Sequence, residues 1–323
     1  MMGSIPSSNS CLIKSQAPVF LVILFVAAFS PLFSQSFPGD PYKAEIVYSD
    51  IELFWKAYDR LKEDESKNPF DEQNLKKGSV GLRDFIPERI ESADELYKLV
   101  TKERAYYDRV RSFTLTSAQY EKQIRAAYYA LKYWYPKAVF PPLYFVIGRT
   151  TSGGTASKAG MIIGIEVFSE TPFSTAYGRP TLRSELIPFT VAHEIVHFLQ
   201  PESKGGATLL SECIREGSAD FIAELTSGEK VKVLNGDNVY PYGEKNEKAL
   251  LAEFLKQKDS KELAPWLYAQ TKDGRPQNLG YWIGYKIAKS YFEAAKDKKK
   301  AVNDILNTTD YQKFFEQSGY GTS

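Results

Sequence analysis

The chain has 323 residues, with 41 Lys and Arg against 40 Asp and Glu and a formal charge of +1. That balance argues against a polybasic surface for nucleic acid or anionic lipid, while 43% hydrophobic and 14% aromatic residues suffice for a sizeable core. The two cysteines are Cys11 and Cys213, so once a leader carrying Cys11 is removed no intramolecular disulfide framework can form.

Residues 1–35 read as a secretory signal. A polar opening with Lys14 precedes an apolar run from Ala17 to Phe29 and a small-residue exit near Ser34-Gln35. The run is short for a bilayer span, and the exported chain is expected to carry no stable one.

The next region, 36–136, reads as a helical unit packed on the core. Ser49-Asp-Ile-Glu52 has the form of a capping box, followed at helical spacing by Ile51, Phe54, Trp55, Tyr58 and Leu61. Ser92-Ala-Asp-Glu95 opens a second helix. Thr116-Ser-Ala-Gln119 opens a third, running through Tyr120, Ile124, Tyr128 and Leu131 until Pro136 stops it. The stretch Lys77 to Arg89 reads as a loop, and the aromatic stripes read as core.

Residues 137–323 read as a second unit, in which the pattern changes from Pro141 to short strands. Leu143 to Ile147 and Met161 to Phe168 are compact β-rich runs, separated by a turn or flexible loop at Thr150 to Thr155. Gly153-Gly154 lacks the Gly-Lys-Ser/Thr ending of a phosphate loop. An edge strand here could pair with an extended peptide, or the strands could be plain structural sheet.

The only two histidines, His193 and His197, stand four apart in Val191-Ala-His-Glu-Ile-Val-His-Phe-Leu-Gln200. On a helix they share one face about 6 Å apart and can hold one metal ion. Glu194, rotated about 100° from His193, stands beside that metal as a base for its water. This is the H-E-x-x-H pattern of zinc peptidases. Eighteen residues later comes Glu216, and four further on the same face Asp220. A turn through Pro201 to Gly206 allows a second helix to run antiparallel to the first. It would bring Glu216 to the metal as third ligand and Asp220 to a ligand histidine, most directly His193, to hold its tautomer. Glu212 and Cys213 are rival ligands. Gly217 and Ala219 keep bulk away where the two helices approach. Ligation by neutral imidazoles implies that metal and activity fall as pH drops towards about 6 and below.

His193-Glu194-x-x-His197 with Glu216-x-x-x-Asp220 resembles the gluzincin clan of metallopeptidases. Glu216-Gly-Ser-Ala-Asp-Phe-Ile-Ala-Glu-Leu225 and Leu279-Gly-Tyr-Trp-Ile-Gly-Tyr-Lys-Ile287 more closely resemble predicted zinc-dependent proteases related to a gliding-motility lipoprotein of bacterial envelopes. The resemblance covers roughly Leu143 to Tyr291. It implies an α+β, predominantly α fold with a thermolysin-like core, a small sheet beside two antiparallel zinc-binding helices. It also implies Zn2+ as cofactor, a peptide or protein substrate, and a secreted or periplasmic location. No nucleic-acid partner is expected, and the protein is expected to act as a monomer. The clan uses a His or Tyr to stabilise the oxyanion. With no histidine left, Tyr281 or Tyr285 is expected in that role, with Arg275 as a weaker candidate. The Gly-x-Met-Glu-Asn motif by which the clan's M1-type aminopeptidases hold a free peptide amine is absent. Gly164-Ile-Glu166 echoes it, making Gly164 and Glu166 substrate-binding candidates and leaving endopeptidase and aminopeptidase both open.

Overall fold

The computed structural model describes residues 37–174, 181–201, 206–230, 239–268 and 274–321. The leader expected at 1–35 lies outside them. Among the described residues no helix is long and apolar enough to cross a membrane. The fold is predominantly helical with a small sheet.

Helices α1 (Ser49–Glu63), α2 (Val80–Phe85), α3 (Ala93–Lys102), α4 (Arg104–Leu115) and α5 (Glu121–Trp134) make up most of the first half. The apolar stripe of α1 is core: Ile51, Phe54, Trp55, Tyr58 and Leu61 are all buried. Its expected capping box does not form. Tyr48 occupies the cap position without a side-chain bond, and the buried Asp50 instead accepts from Ser79 N (2.8 Å) and Ser79 Oγ (2.5 Å). Ser79 in turn caps α2 through Leu82 N, so the stretch expected as a loop at Lys77 to Arg89 is a short helix followed by a π-helical turn, Ile86–Ile90. The expected Ser92 cap does form, accepting from Glu95 N at 3.2 Å.

The main sheet contains β1 (Ile46–Val47), β2 (Leu143–Val146), β3 (Thr155–Ala156) and β4 (Met161–Gly164) in the order β1-β2-β4-β3. β1 and β4 lie parallel to β2, with Ile46 opposite Leu143 and Val146 opposite Gly164. β3 is antiparallel to β4. Burial of every residue of β2 and β4 explains their continuous apolar runs, because strands covered on both faces have no polar side to alternate with. The edge strand β3 falls in the segment expected as a turn. A second pair, β5 (Phe168–Ser169) and β6 (Leu182–Arg183), is parallel.

Five further helices follow: α6 (Ile187–Leu199), α7 (Leu209–Ser227), α8 (Val239–Gln257), α9 (Leu279–Ala294) and α10 (Lys298–Asn307), with α11 (Tyr311–Ser318) near the end. α7 and α9 approach closely because glycines face backbone at their crossing. A Cβ on Gly217 would lie 2.0 Å from Tyr285 N, and one on Gly284 would lie 1.6 Å from Cys213 O. Gly217 thus admits α9, and is not there to admit α6 as its neighbourhood to Glu216 suggests.

Gly284→Ala should therefore destabilise the protein. Alanine recovers about 1 kcal/mol of helix propensity, but its methyl must push backbone aside at a cost of roughly 3 kcal/mol or more. Thermal melting should show a Tm lowered by several degrees.

Candidate metal centre

α6 is apolar almost all round, with Ile187, Phe189, Val191, Ala192, Ile195 and Val196 buried, so it runs through the core and its few polar side chains point at one another. His197 faces Glu216 and His193 faces Asp220. The earlier residue of α6 meets the later one of α7, so the two helices run antiparallel. α7 starts at a reciprocal cap in which Thr208 Oγ1 accepts from Ser211 N and Ser211 Oγ accepts from Thr208 N, and it ends at Gly228 with φ 78°.

His193, His197 and Glu216 place one potential ligand atom each within 4.8 Å of one another. The two Nε2 atoms are 3.0 Å apart, and Glu216 Oε2 lies 3.5 Å from that of His193 and 3.2 Å from that of His197. The Nδ1 partners assign the tautomers. His193 Nδ1 faces Asp220 Oδ1 at 2.8 Å and His197 Nδ1 faces Gln200 Oε1 at 3.1 Å. The Gln200 amide orientation follows from its Nε2 donating to Arg215 O. Both oxygens can only accept, so each Nδ1 carries the hydrogen, and in the neutral form of each ring Nε2 presents a lone pair. Two lone pairs and a carboxylate oxygen with no hydrogen-bond partner then meet in a buried space. Two imidazoles with one carboxylate are a donor set of catalytic zinc.

The surrounding charges agree. Burial acts against the imidazolium of His193, yet Asp220 and Glu216 outweigh it and hold its proton affinity well above the usual value. Burial also acts to raise Glu216, but His197 and His193 outweigh it and hold that carboxyl well below its usual range. Glu194 is only 6% exposed, and its Oε2 has no hydrogen-bond partner. Burial pushes its pKa up with help from Glu216, against the pull of the two histidines and Arg89. A buried carboxylate with raised proton affinity beside a metal cluster is suited to take and return a proton.

The tyrosine candidates separate. Tyr281, on α9, lays its ring over His193 with centroids 6.3 Å apart and planes 17° from parallel, and burial together with the nearby Glu216 raises the pKa of its phenol. The Tyr285 hydroxyl, one turn on, donates to Glu224 Oε1 at 2.7 Å and away from the cluster. Arg275 is engaged by Glu253. Cys213 points its sulfur at Gly280 of α9, and neither it nor Glu212 joins the three clustered donors. Gly164 and Glu166 are not laid out for a substrate amine. A Cβ on Gly164 would meet Ser152 O at 2.2 Å, and Glu166 is 0% exposed with Oε1 accepting from Thr150 N at 2.9 Å.

Three residues that sequence reasoning did not single out complete the site. Gln200 was legible in principle, three positions after His197 where a helix-terminal side chain reaches back. Tyr240 donates to Asp220 Oδ2 at 3.2 Å, and Tyr268 donates to Glu216 Oε1 at 2.8 Å. Among 21 tyrosines neither carries a local signal.

Residues 171–310, which span the whole cluster and α9, match the family model described as "Predicted Zn-dependent protease (DUF2268)". Residues 42–232 match the model "Gliding motility protein GldB", which is more than half of the chain. The protein belongs to the gliding motility protein GldB family. No curated protein and no solved structure matches it.

Two outcomes are expected. Asp220→Asn leaves the His193 Nδ1–H against an amide in place of a carboxylate and should weaken zinc binding by about 10- to 100-fold, read by competition with a chromogenic chelator. Glu166 has its pKa raised to about 7, chiefly by burial, against backbone N–H groups that favour its charged form. The native state then binds the proton more tightly than the unfolded chain, so stability present at low pH is lost as pH rises from about 4.5 to about 7. Glu166→Gln does not titrate. Its melting temperature relative to the unsubstituted protein should rise by several degrees between pH 4.5 and pH 8, and a constant difference would disprove the assignment.

Proposed function

We propose that this protein is a zinc-dependent peptidase of the cell envelope or its exterior, with a thermolysin-like core. The observation that carries the reading is the convergence of His193, His197 and Glu216 on one point, with a second carboxylate, Glu194, beside them. The match of residues 171–310 to the predicted zinc-dependent protease model and membership of the gliding-motility family support it.

In this reading His193, His197 and Glu216 hold zinc. When bound, zinc supplies Lewis acidity to a water and to the scissile carbonyl. Glu194 takes the proton from the attacking water and passes it to the leaving amine, a role for which its raised proton affinity prepares it. Tyr281 donates to the oxygen on which negative charge develops. Burial and the nearby Glu216 keep its phenol protonated. Tyr268 bonds Glu216, so that carboxylate keeps a partner while Tyr281 faces a substrate. An extended peptide would add to the sheet along β3, the edge strand beside α6, and main-chain pairing there holds it without regard to side-chain sequence.

The gliding-motility assignment favours one other reading, a non-catalytic envelope protein whose core is stapled by zinc. The two separate on Glu194. Purified protein should contain one zinc per chain, and Glu194→Gln should retain it while hydrolysis of a mixed peptide library falls by at least about 10³-fold. Tyr281→Phe should lower kcat by about 10²- to 10³-fold with metal retained. Full zinc content with no Glu194-dependent hydrolysis would establish the stapled protein instead.

A further inference from the structure

The segment 148–154 carries the chain from β2 to the edge strand β3 and lies against Glu194. A Cβ on Gly154 would stand 2.6 Å from Glu194 Oε1. Hydrophobic packing does not account for this loop. It contains Thr150 with φ 57°, a left-handed conformation that a β-branched residue adopts only where its surroundings over-determine it. The restraint comes from below, where Glu166 Oε1 accepts the Thr150 N–H at 2.9 Å. Glu166 is wholly buried and sits in the short 3-10 turn Ile165–Val167 that follows β4. Arg149 anchors the start of the loop, its guanidinium donating to Ile90 O at 3.1 Å and pairing with Glu91 at 2.6 Å, and the remaining ties are single neutral hydrogen bonds. Tyr107 Oη donates to Gly148 O at 2.8 Å, Thr151 Oγ1 to Arg89 O at 2.8 Å and Ser152 Oγ to Gly154 O at 2.7 Å. Gly164 completes the seat, since any side chain there would strike Ser152 O.

We propose that Glu166 is a positioning residue for the reaction: its buried carboxylate holds Thr150 in the left-handed conformation and so sets the 148–154 loop against Glu194 and β3 along the cleft. The inference rests on the peptidase reading for its effect on turnover, but the bracket itself is a property of the fold. A carboxylate suits the task because it only accepts, and the bonds it takes come from backbone N–H groups. An amide at this position keeps the Thr150 bond but adds a buried N–H2 with no acceptor, while an apolar side chain loses the bond altogether. The cost of burying the charge is tolerated in return for a fixed rim. That inverts the ordinary expectation for a core substitution, because removing Glu166 relieves a buried charge and loosens the loop at once.

The test compares Glu166→Leu, Glu166→Gln and the double variant Glu166→Leu/Thr150→Gly with the unsubstituted full chain, by hydrogen exchange, zinc content and peptide hydrolysis. In Glu166→Leu, exchange at the amides of 149–154 should speed up while the helices α6 and α7 stay protected, Tm at pH 8 should not fall, zinc should stay stoichiometric, and kcat/KM should drop by about 10- to 100-fold. Glu166→Gln should keep the loop's exchange near that of the unsubstituted protein. Thr150→Gly, which adopts the left-handed conformation without cost, should restore loop protection in the Leu background, a rescue that a purely volumetric role would not show. Unchanged loop exchange in Glu166→Leu, or loosening spread evenly over the molecule, would overturn the proposal. Should Glu166→Leu not fold, fast loop exchange in Glu166→Gln with its Thr150 bond intact would do so. If the unsubstituted chain cleaves no peptide, the peptidase reading fails while the exchange data still decide the bracket.

Discussion

The Nε2 atoms of His193 and His197 stand 3.0 Å apart beside the Glu216 carboxylate, and much of the surrounding structure keeps them there. Each ring is pinned from behind, His193 by Asp220 and His197 by Gln200, and Asp220 is itself held by Tyr240. Glu216 adds a negative charge where two lone pairs already point, and Tyr268 fixes its other oxygen. A metal ion at this point would be ligated by all three groups. The acceptors behind the ring nitrogens hold the hydrogen on each Nδ1 and so leave Nε2 facing the cluster.

That arrangement depends on α7, which carries both Glu216 and Asp220 one turn apart. On one side it meets α6 in the antiparallel sense. On another it meets α9 at backbone contact, through Gly217 and Gly284. The same approach delivers Tyr281 onto the ring of His193. A one-residue shift of α9 would exchange Tyr281 for a side chain pointing elsewhere, so the packing of two glycines selects which tyrosine faces the cluster.

The first half of the chain shapes the rim. β1 pairs with β2 inside the sheet, Tyr107 of α4 holds Gly148, and the carbonyl of Arg89 in the π-helical turn holds Thr151. Arg89 also lowers the proton affinity of Glu194. Helices far from the histidines in sequence thus act on the loop that covers the general-base candidate.

Local sequence determined the parts of this protein that obey local periodicity. The four-residue step from His193 to His197, and from Glu216 to Asp220, placed each pair on one helical face before any fold was known, and the apolar runs at Leu143 and Met161 marked buried strands. The caps show the limit. Ser92 behaved as its motif implies, whereas Ser49 did not, because the buried Asp50 found Ser79 and tied α1 to a helix that reads as a loop. β1 and β3 have two residues each, too few for any period to register. Which of Tyr281 and Tyr285 meets the cluster, that Tyr268 and Tyr240 support it, and that Glu166 lies sealed beneath the loop were decided by tertiary structure alone. Each depends on a contact between segments tens of residues apart, where helix crossing, glycine clearance and burial set the geometry and neighbouring residues in the chain carry no record of it.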